Sequence, residues 1–585
     1  KVNVDTTGLN LISDENIFGT DIKKIDNITQ YMLWKYENNS FGFIATCCND
    51  NYKSELAGDE NGLNIQIYNW DKGHKTVNAI ALLTADGDFP YELSESCVKF
   101  GMELTGLGIG WRENRKYPEI LEYLGWCTWD ALQIRVSEDG ICEKLDEFKE
   151  KDIPVKWLMI DDMWADCTNL DTGKYSCFEE MMKMQRASKL NNFEASPKRF
   201  PKGLKHCIER IKKDYGKVVG MWHPITGYWL GITEGTDFFE EYKDCLFKNP
   251  EGWYQPSFEK EKAFKFYDAW HSFFKDCGAE FIKVDYQSSF HFNKDVAPVG
   301  TMARNLHYAL DKSANKNFNS TLINCMATAA ENMWNRPETS VLRCSDDFMP
   351  ENRPWFKKHI LQCTYNSLYM GMFQYCDYDM WWTDDGQGKK NSLLRAVSGG
   401  PVYVSDQIGR SIKELIMPLV LSDGKLLRCD RPGMPTVDCL VDDPTNIEIP
   451  FKVQNICNGS GAVAAFNLCN DENATAKGSV SPSEVYGLKG EEFAVYEHFS
   501  GEYKILNKNE AFEFELKGND EFKLFIIVPI KDGFAPIGLI DKYISPKTIK
   551  SVDGFNVELF EAGKFAYIKD GKLNITDAET KIECK

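Results

Sequence analysis

A short apolar stretch, Phe281–Asp285, ends in a carboxylate and carries a lysine two residues earlier. It is typical of a buried strand, where side chains alternate, so Lys283 and Asp285 should point the same way. A cation beside a carboxylate favours the ionised form that a nucleophile needs. A second acidic strand end, at Asp346 and Asp347, provides a candidate proton donor. Two carboxylates in one pocket predict the cleavage of a glycosidic bond.

The elements that must position these carboxylates are short apolar strands that alternate with amphipathic helical patterns. In Gly203–Tyr215, for example, Leu204, Ile208 and Ile211 fall on one helical face. Strands joined by crossover helices predict a (β/α)8 TIM barrel, whose active site lies at the carboxyl ends of its strands. The eight predicted strands are 123–129, 155–160, 218–222, 281–285, 321–326, 341–345, 372–376 and 401–404.

The regions on either side of the predicted barrel lack its helical pattern. Runs such as Phe41–Thr46 and 63–68 predict a β-rich domain, and alternating runs such as 462–468 and 522–528 predict an antiparallel β-sandwich. We therefore expect a multidomain α/β protein. Its predicted parts are an N-terminal β-rich domain (1–117), a catalytic (β/α)8 barrel (118–445) and a C-terminal antiparallel β-sandwich (446–585).

Composition excludes several classes of partner. The net charge is −20 without a basic tract, which argues against nucleic acid and anionic membranes. The 19 cysteines show no metal-ligand spacing, so we expect free thiols, no metal and no cofactor. No apolar run is long enough to cross a membrane, and no leader is evident. We expect a cytoplasmic protein, or a secreted one if a leader was removed before Lys1, and an oligomer is compatible with the sequence.

The ends of the predicted strands collect acidic and aromatic residues. One such residue is usually a helix cap, a turn or core packing, and we accept that interpretation for Asp130, Asp166 and Asp406. A whole series at successive carboxyl ends instead predicts a binding site, and the long connections 163–200 and 223–258 belong on the same face. The candidates are Trp126, Trp129, Asp161, Asp162, Trp222, His223, Lys283, Asp285, Cys325, Arg343, Asp346, Asp347 and Asp379.

With these motifs the chain resembles glycoside hydrolase family 36, in its branch of raffinose synthases, seed-imbibition proteins and alkaline α-galactosidases. The similarity runs from about residue 120 to 445, and long uncommon motifs follow one another in the same order. They are GWCTWD at Gly125, IDDMW at Ile160, RFPKGLK at Arg199, WHPITGYW at Trp222, GAEFIKVDYQ at Gly278, RCSDDFMP at Arg343, SGGPVYVSD at Ser398 and LRCDRPGMPTVDCLVDDP at Leu427.

The resemblance implies a retaining exo-α-glycosidase for a terminal sugar of galactose configuration. Asp285 would attack the anomeric carbon and Asp346 would be the acid/base, with its neighbour Asp347 as the alternative. A proton donor needs a raised pKa, which we expect at Asp346 from the Asp347 charge and the apolar Phe348. Water would then hydrolyse the covalent glycosyl-enzyme, whereas a sugar would take up the glycosyl group.

The same resemblance implies binding roles for other candidates. Asp161 and Asp162 would bind the 4- and 6-hydroxyls, and Lys283 with Arg343 would hold ring hydroxyls. The remaining implied contacts are an aromatic wall formed by Trp126 or Trp129 with Trp222, and Cys325 near the 2-position.

The chain departs from the galactose-specific pattern after Cys325, where small residues replace a glycine-rich stretch. Ala327, Ala329 and Ala330 could leave space for an acetamido group. α-Galactosidase and α-N-acetylgalactosaminidase activities therefore both stay open, on an oligosaccharide or glycoconjugate. The alternatives are an α-galactosyl transferase of raffinose synthase type and a sugar-binding barrel without catalysis.

Overall fold

The computed structural model describes residues 10–13, 18, 21–49, 51–72, 79–106, 110–170 and 175–584. At its centre lies a sheet of eight parallel strands in sequence order. A bridge between Trp381 and Val404 joins the segment after the seventh strand to the eighth. The strands are β1 (Gly125–Cys127), β2 (Trp157–Ile160), β3 (Val218–Pro224), β4 (Phe281–Asp285), β5 (Leu322–Asn324), β6 (Val341–Arg343), β7 (Tyr375–Asp377) and β8 (Tyr403–Val404).

These strands confirm the predicted TIM barrel. In β3 and β4, Gly220 pairs with Phe281 and Pro224 with Asp285, so both strands end at the same level. Several strands are shorter than their apolar runs, and Met372 lies in the helix Met370–Phe373 instead of in β7. Hydrophobicity alone does not distinguish a buried strand from a buried helical turn.

Helices surround the barrel; the longer ones bury one apolar face, whereas Gly388–Ala396 is buried almost throughout. Gly203–Tyr215 matches the predicted helix, buries Leu204, Ile208 and Ile211, and ends at Gly216 with a φ of 62°. The α-helices of the barrel region are Trp129–Leu132, Glu138–Glu150, Phe178–Arg186, Gly203–Tyr215, Asp237–Tyr242, Lys260–Asp276, Val299–Phe318, Ala330–Met333, Trp355–Asn366, Met370–Phe373, Gly388–Ala396 and Lys413–Ile416.

The long connections after β2 and β3 fold into small structures of their own. The first contains the strand pair Ala165–Cys167 and Leu190–Ala195, and the second contains Leu246–Lys248 paired with Tyr254–Pro256. Bridges from Ile232 to Leu190 and to Tyr254 tie the two connections together. They form a wall above one side of the barrel.

The N-terminal region is β-rich, as predicted, but it also contains the unpredicted helix Pro90–Thr105. This helix buries Tyr91, Leu93 and Val98 and ends at Gly106 with a φ of 59°. The strands are Asn10–Ser13, Tyr31–Lys35, Phe41–Thr46 and Leu82–Gly87 in one sheet, with Lys53–Asp59 and Gly62–Tyr68 in a hairpin.

The N-terminal hairpin is joined to the barrel by a buried ion pair. The Lys53 ammonium lies 3.2 Å from Glu331, in the short helix that follows β5, and 2.7 Å from Glu55. Gln30 also donates a 2.7 Å hydrogen bond to the carbonyl oxygen of Thr328. The loop after β5 is therefore held from outside the barrel.

The C-terminal region consists of antiparallel sheets, as predicted. Val463, Phe493 and Phe525 of the largest sheet pack with Phe512 of a two-stranded sheet, which makes a layered core. The largest sheet contains Met434–Pro435, Phe451–Cys457, Ser460–Phe466, Phe522–Pro529, Glu492–Glu497 and Tyr503–Asn507. The smaller sheets contain Thr475–Val480 with Phe512–Lys517, then Phe534–Leu539, Gly563–Lys569 and Lys572–Ala578, and finally Ile549–Asp553, Asn556–Leu559 and Lys581–Glu583.

All 19 thiols are unpaired, and only Cys177 is exposed. Among the described residues, no helix combines the length and the hydrophobicity that crossing a lipid bilayer requires.

Candidate active site

A pocket of about 510 Å³ opens at the carboxyl ends of the barrel strands. Most of the predicted site residues line it, although they come from six different strand ends. They are Trp129, Asp161, Asp162, Trp222, Lys283, Asp285, Arg343, Asp346, Asp347 and Asp379.

Asp285 is half-buried at the end of β4 and is held by uncharged donors. The Trp222 indole N–H donates to its Oδ2 at 3.1 Å, and the Tyr286 backbone N–H donates to its Oδ1 at 2.6 Å. Because Trp222 lies on the adjacent strand β3, the parallel register sets the direction of the carboxylate. Asp285 thus faces the pocket in a fixed orientation.

The ammonium of Lys283 binds Asp161 on the pocket floor, with Nζ 2.8 Å from Oδ2. Both side chains are only 4% exposed. Burial opposes the charge of Lys283, but Asp161 outweighs it and raises the pKa of Lys283 well above its usual value. Asp161 also accepts from the Cys127 thiol at 3.2 Å. The lysine is therefore committed to Asp161, the acid at the end of β2.

Asp162 is fully enclosed by donors from the long connections. Its Oδ1 accepts from the Tyr228 hydroxyl at 2.6 Å, and its Oδ2 accepts from the Trp229 indole at 2.9 Å and from the Gln185 amide. Burial raises the pKa of Asp162 to about 7, although these donors oppose the shift. This carboxylate positions the wall of the pocket, and above all the ring of Trp229.

Asp346 and Asp347 are adjacent but differ in their surroundings. Although burial opposes the charge of Asp346, its pKa is lowered, because Gln362 donates to it at 2.9 Å and Lys358 lies 2.9 Å away. The raised pKa that we expected at Asp346 is therefore wrong. Although the Asp347 side chain is 62% exposed, its pKa is raised by desolvation at the mouth of the pocket and by the charges of Asp379 and Asp285, against the opposing effect of Arg343.

Arg343 lies between two carboxylates, the exposed Asp347 and the buried Asp379. Its guanidinium binds Asp347, four residues later, and lies 3.8 Å from Asp379 Oδ2. Asp379 is buried and accepts from the Phe348 backbone N–H at 2.7 Å. Burial acts against its charge, but Arg343 and Lys283 together lower the pKa of Asp379. Positive and negative groups thus alternate around the pocket.

Three of the predicted site residues do not line the pocket, and for Trp126 and His223 the predicted place in the binding site is wrong. Trp126 is fully buried, packs on Phe148 at 6.0 Å and donates to the Asp406 carbonyl oxygen at 3.3 Å. His223 alternates with Trp222 along β3 and therefore points outward, where its Nε2 lies 3.0 Å from His271 Nε2. Burial lowers the pKa of His223 to about 4.

Cys325 is the third of these residues. It is fully buried, and burial raises its thiol pKa well above the usual value, so it is a poor nucleophile. The next residue, Met326, lines the pocket in its place, with a φ of 47°. The placement of Cys325 near a sugar 2-position stays a prediction.

Some residues at the barrel mouth have a strained backbone. Four non-glycine residues that follow barrel strands have a positive φ: Met163 (72°), Tyr286 (57°), Met326 (47°) and Asp379 (63°). Each such conformation costs on the order of 1–3 kcal/mol and persists only where the surroundings enforce it. Strain of this kind clusters at binding sites, in agreement with the position of the pocket.

Other lining residues were missed. Three come from helix Phe178–Arg186, whose position above the barrel depends on tertiary packing. Three features of the sequence could have predicted some of these residues: the long connection 163–200, the motif that contains Trp229, and the position of Tyr286 directly after β4. The missed residues are Met182, Gln185, Arg186, Trp229, Tyr286, Met326, Phe348, Met349, Trp355 and Met380.

The barrel has the fold of a carbohydrate-active enzyme of glycosidase type. Among solved structures it is similar to a β-L-arabinopyranosidase from Geobacillus stearothermophilus, with a TM-score of 0.50 and 17% identity, over 70% of this chain and 97% of the other. Residues 14–477 match the family model described as raffinose synthase or seed imbibition protein Sip1. The chain belongs to this family.

Curated relatives agree with that assignment. The chain is 28% identical over 614 residues to "Probable galactinol–sucrose galactosyltransferase 1" of Arabidopsis thaliana, covering 91% of this chain and 80% of the relative. It is 24% identical to stachyose synthase of Pisum sativum, covering 87% and 76% respectively.

Proposed function

We propose that this chain is a retaining enzyme that removes α-galactosyl groups through a covalent intermediate and transfers them to a sugar acceptor. The observation that carries the proposal is the presence of Asp285 and Asp347 in one pocket with opposite surroundings. One acid is held by neutral donors, and the pKa of the other is raised. This is the division of roles that two-carboxylate glycosyl chemistry requires.

In this mechanism Asp285 attacks the anomeric carbon. Its two hydrogen bonds, from the Trp222 indole and the Tyr286 backbone, fix the carboxylate toward the pocket. A nucleophile held in one orientation avoids the cost of reorganisation during attack. The ester that forms is the galactosyl-enzyme, and the displaced oxygen leaves with a proton.

Asp347 is the better candidate for the donor of that proton. Its raised pKa favours the protonated form, whereas Lys358 and Gln362 stabilise the charge of Asp346. Arg343, bound to Asp347, stabilises the carboxylate left after donation, which then acts as base toward the incoming hydroxyl. We therefore assign the acid/base role to Asp347 instead of Asp346.

Two observations favour a sugar as the acceptor. Curated relatives of this chain include proteins named as galactinol–sucrose galactosyltransferases and one named as stachyose synthase. The partly exposed rings of Trp229, Tyr286 and Trp355 line the pocket, and such rings bind the apolar faces of sugars. Hydrolysis stood first in the sequence analysis; these relatives support the opposite order.

Hydrolysis is the second candidate, because solvent reaches the acids. The side chains of Asp346 and Asp347 are 56% and 62% exposed, so water competes with any acceptor. An α-galactosidase would result if the acceptor site stays empty.

The wall after β5 supports galactose over N-acetylgalactosamine. Met326 lines the pocket, whereas Ala327 and Ala330 are buried behind it and do not. Ala329 is half-buried and does not line the pocket either, so none of the three alanines that were expected to leave space for an acetamido group borders it. A 2-hydroxyl fits this interpretation better.

The test is product analysis with galactinol as donor, with and without sucrose. If the enzyme transfers the galactosyl group, a trisaccharide should be the main product at high sucrose concentration. If free galactose is the only product at every sucrose concentration, the enzyme is a hydrolase. Aryl α-galactoside and aryl α-N-acetylgalactosaminide are compared in parallel. Faster turnover of the acetamido substrate would contradict the assignment at the 2-position.

A further inference from the structure

The turn that follows β4 contains a buried glutamine two residues after the proposed nucleophile. The strand ends at Asp285, and Tyr286 has a φ of 57°, a left-handed conformation that a bulky side chain rarely adopts. Asp285 and Tyr286 both line the active-site pocket, whereas Gln287 is fully buried and does not. The mechanism described above uses the first two residues but not Gln287.

The side-chain amide of Gln287 closes this turn. Its Nε2 donates to the Val284 carbonyl oxygen at 2.8 Å, across the two residues Asp285 and Tyr286. The same nitrogen donates at 3.0 Å to Oδ1 of Asn324, the last residue of β5. Both amide hydrogens are thus used. The turn is therefore tied to β4 and to β5 by one side chain.

Arg336 determines which way the amide of Gln287 faces. Its Nη2 donates to Gln287 Oε1 at 2.6 Å, and its Nη1 donates to Asn324 Oδ1. A guanidinium can only donate, so the amide oxygen must face Arg336 and the amide nitrogen must face Val284. Burial lowers the pKa of Arg336 to about 10, although Asp311 opposes this, so the guanidinium stays charged at neutral pH.

Asn324 connects this network to the next strand of the sheet. Its Nδ2 donates to the Val341 carbonyl oxygen in β6 at 2.9 Å and to Thr339 Oγ1 at 3.1 Å. Gln287, Arg336 and Asn324 are each at most 1% exposed. Because every amide N–H of Gln287 and Asn324 is paired, the buried network holds its members in one arrangement.

We propose that Gln287 is a positioning residue for Asp285, and that Arg336 orients its amide. The hydrogen bond from Gln287 to Val284 keeps Tyr286 in its left-handed conformation. In this conformation the Tyr286 backbone N–H donates to Asp285 Oδ1 at 2.6 Å. A strained backbone of this kind persists only where neighbouring contacts enforce it. The inference rests on the proposed function, in which Asp285 is the nucleophile.

First-turnover kinetics with an aryl α-galactoside test this role, because release of the aryl alcohol reports formation of the galactosyl-enzyme. Gln287→Met removes both donors and should lower the maximal first-turnover rate at least about tenfold, since a misplaced nucleophile slows attack. The substrate concentration that gives half the maximal rate should change less than about threefold, because Gln287 does not line the pocket.

Gln454→Met is the matched control. Gln454 is a buried glutamine of the C-terminal sheet, and its Oε1 accepts from the Tyr486 backbone N–H at 3.2 Å. Its replacement also removes a buried amide and should lower the urea midpoint of unfolding, but the first-turnover rate should stay within about twofold. An equal loss of rate in Gln454→Met and Gln287→Met would overturn the proposal, because general destabilisation would then explain both.

Gln287→Glu separates positioning from packing. A glutamate keeps the size of the side chain and the contact with Arg336, but its carboxylate cannot donate to Val284 or Asn324. The variant should therefore fold and lose first-turnover rate as Gln287→Met does, and it decides the question if Gln287→Met does not fold. A rate equal to that of the unchanged enzyme in Gln287→Glu would overturn the proposal.

Asp285→Ala in the same assay distinguishes this inference from the proposed function. If Asp285→Ala keeps its first-turnover rate within about tenfold, the nucleophile assignment is wrong, and the role of Gln287 is wrong with it. If Asp285→Ala is inactive while both Gln287 variants keep the rate of the unchanged enzyme, only the positioning role is wrong.

Discussion

The carboxylates on the floor of the active-site pocket differ from those at its rim in burial and in hydrogen-bond partners. On the floor, Asp161 and Asp162 are buried and fully engaged by Lys283, Tyr228 and Trp229. At the rim, the acids that follow β6 are exposed, and their partners come from side chains four to sixteen residues away. The difference indicates that the carboxylates of the floor are fixed by their partners, whereas those of the rim can exchange protons with solvent.

The largest expected effect concerns Asp285, which lies between floor and rim. Asp285→Ala should lose at least about a thousandfold in kcat, because no other carboxylate shares its position on β4. The measurement is turnover of an aryl α-galactoside, with azide added to restore partial activity as a β-galactosyl azide. Activity within about tenfold of the unchanged enzyme would contradict its role as nucleophile.

Removing one partner of the buried ion pair on the floor should have a large effect on stability. Lys283→Met leaves the Asp161 carboxylate buried without its cation and should lower the free energy of unfolding by about 3 kcal/mol. Urea denaturation measures this change. The control is Lys283→Met combined with Asp161→Asn, which removes both charges and should recover much of the loss. If the single variant is as stable as the unchanged protein, the ion pair between Lys283 and Asp161 does not stabilise the fold.

The rim is tested by its two neighbouring acids. Asp347→Asn should reduce turnover of galactinol about a hundredfold and spare aryl substrates whose leaving groups need no proton. Asp346→Asn is the matched control and should stay within about tenfold on both substrates. The reverse pattern would restore Asp346 as the acid/base.

The smallest predicted effect is a shift in pH dependence. Asp347 must be protonated to donate, so kcat/KM for galactinol should fall as the pH rises through its raised pKa. Arg343 lowers this pKa, so Arg343→Met should move the fall to higher pH. Arg186→Met removes another lining arginine and should leave the position unchanged. If the pH dependence of kcat/KM is the same in Arg343→Met as in the unchanged enzyme, the group that titrates is not Asp347.

Much of the barrel could be predicted because its strands are short apolar runs between helical patterns. Phe281–Asp285 and Gly203–Tyr215 agree with the structure residue for residue. The outward direction of His223 also follows from alternation once Trp222 faces the pocket. The sequence alone had no means to say which of the two faced inward.

The choice between Asp346 and Asp347 could not be made in this way. Both residues lie beyond the end of β6 at Arg343, so the alternation of a strand no longer applies. The proton affinity of Asp346 depends on Lys358 and Gln362, which the later helix Trp355–Asn366 places beside it. The helix Phe178–Arg186 is a similar case, since only tertiary packing places it over the pocket.

The ion pair between Lys53 and Glu331 has a consequence for attempts to isolate the barrel. A fragment cut before β1 would leave Glu331 buried without a counter-charge, five residues from Met326 in the pocket wall. Such a truncation would loosen the substrate-binding surface itself. The N-terminal region thus supports the loop that forms the pocket wall after β5.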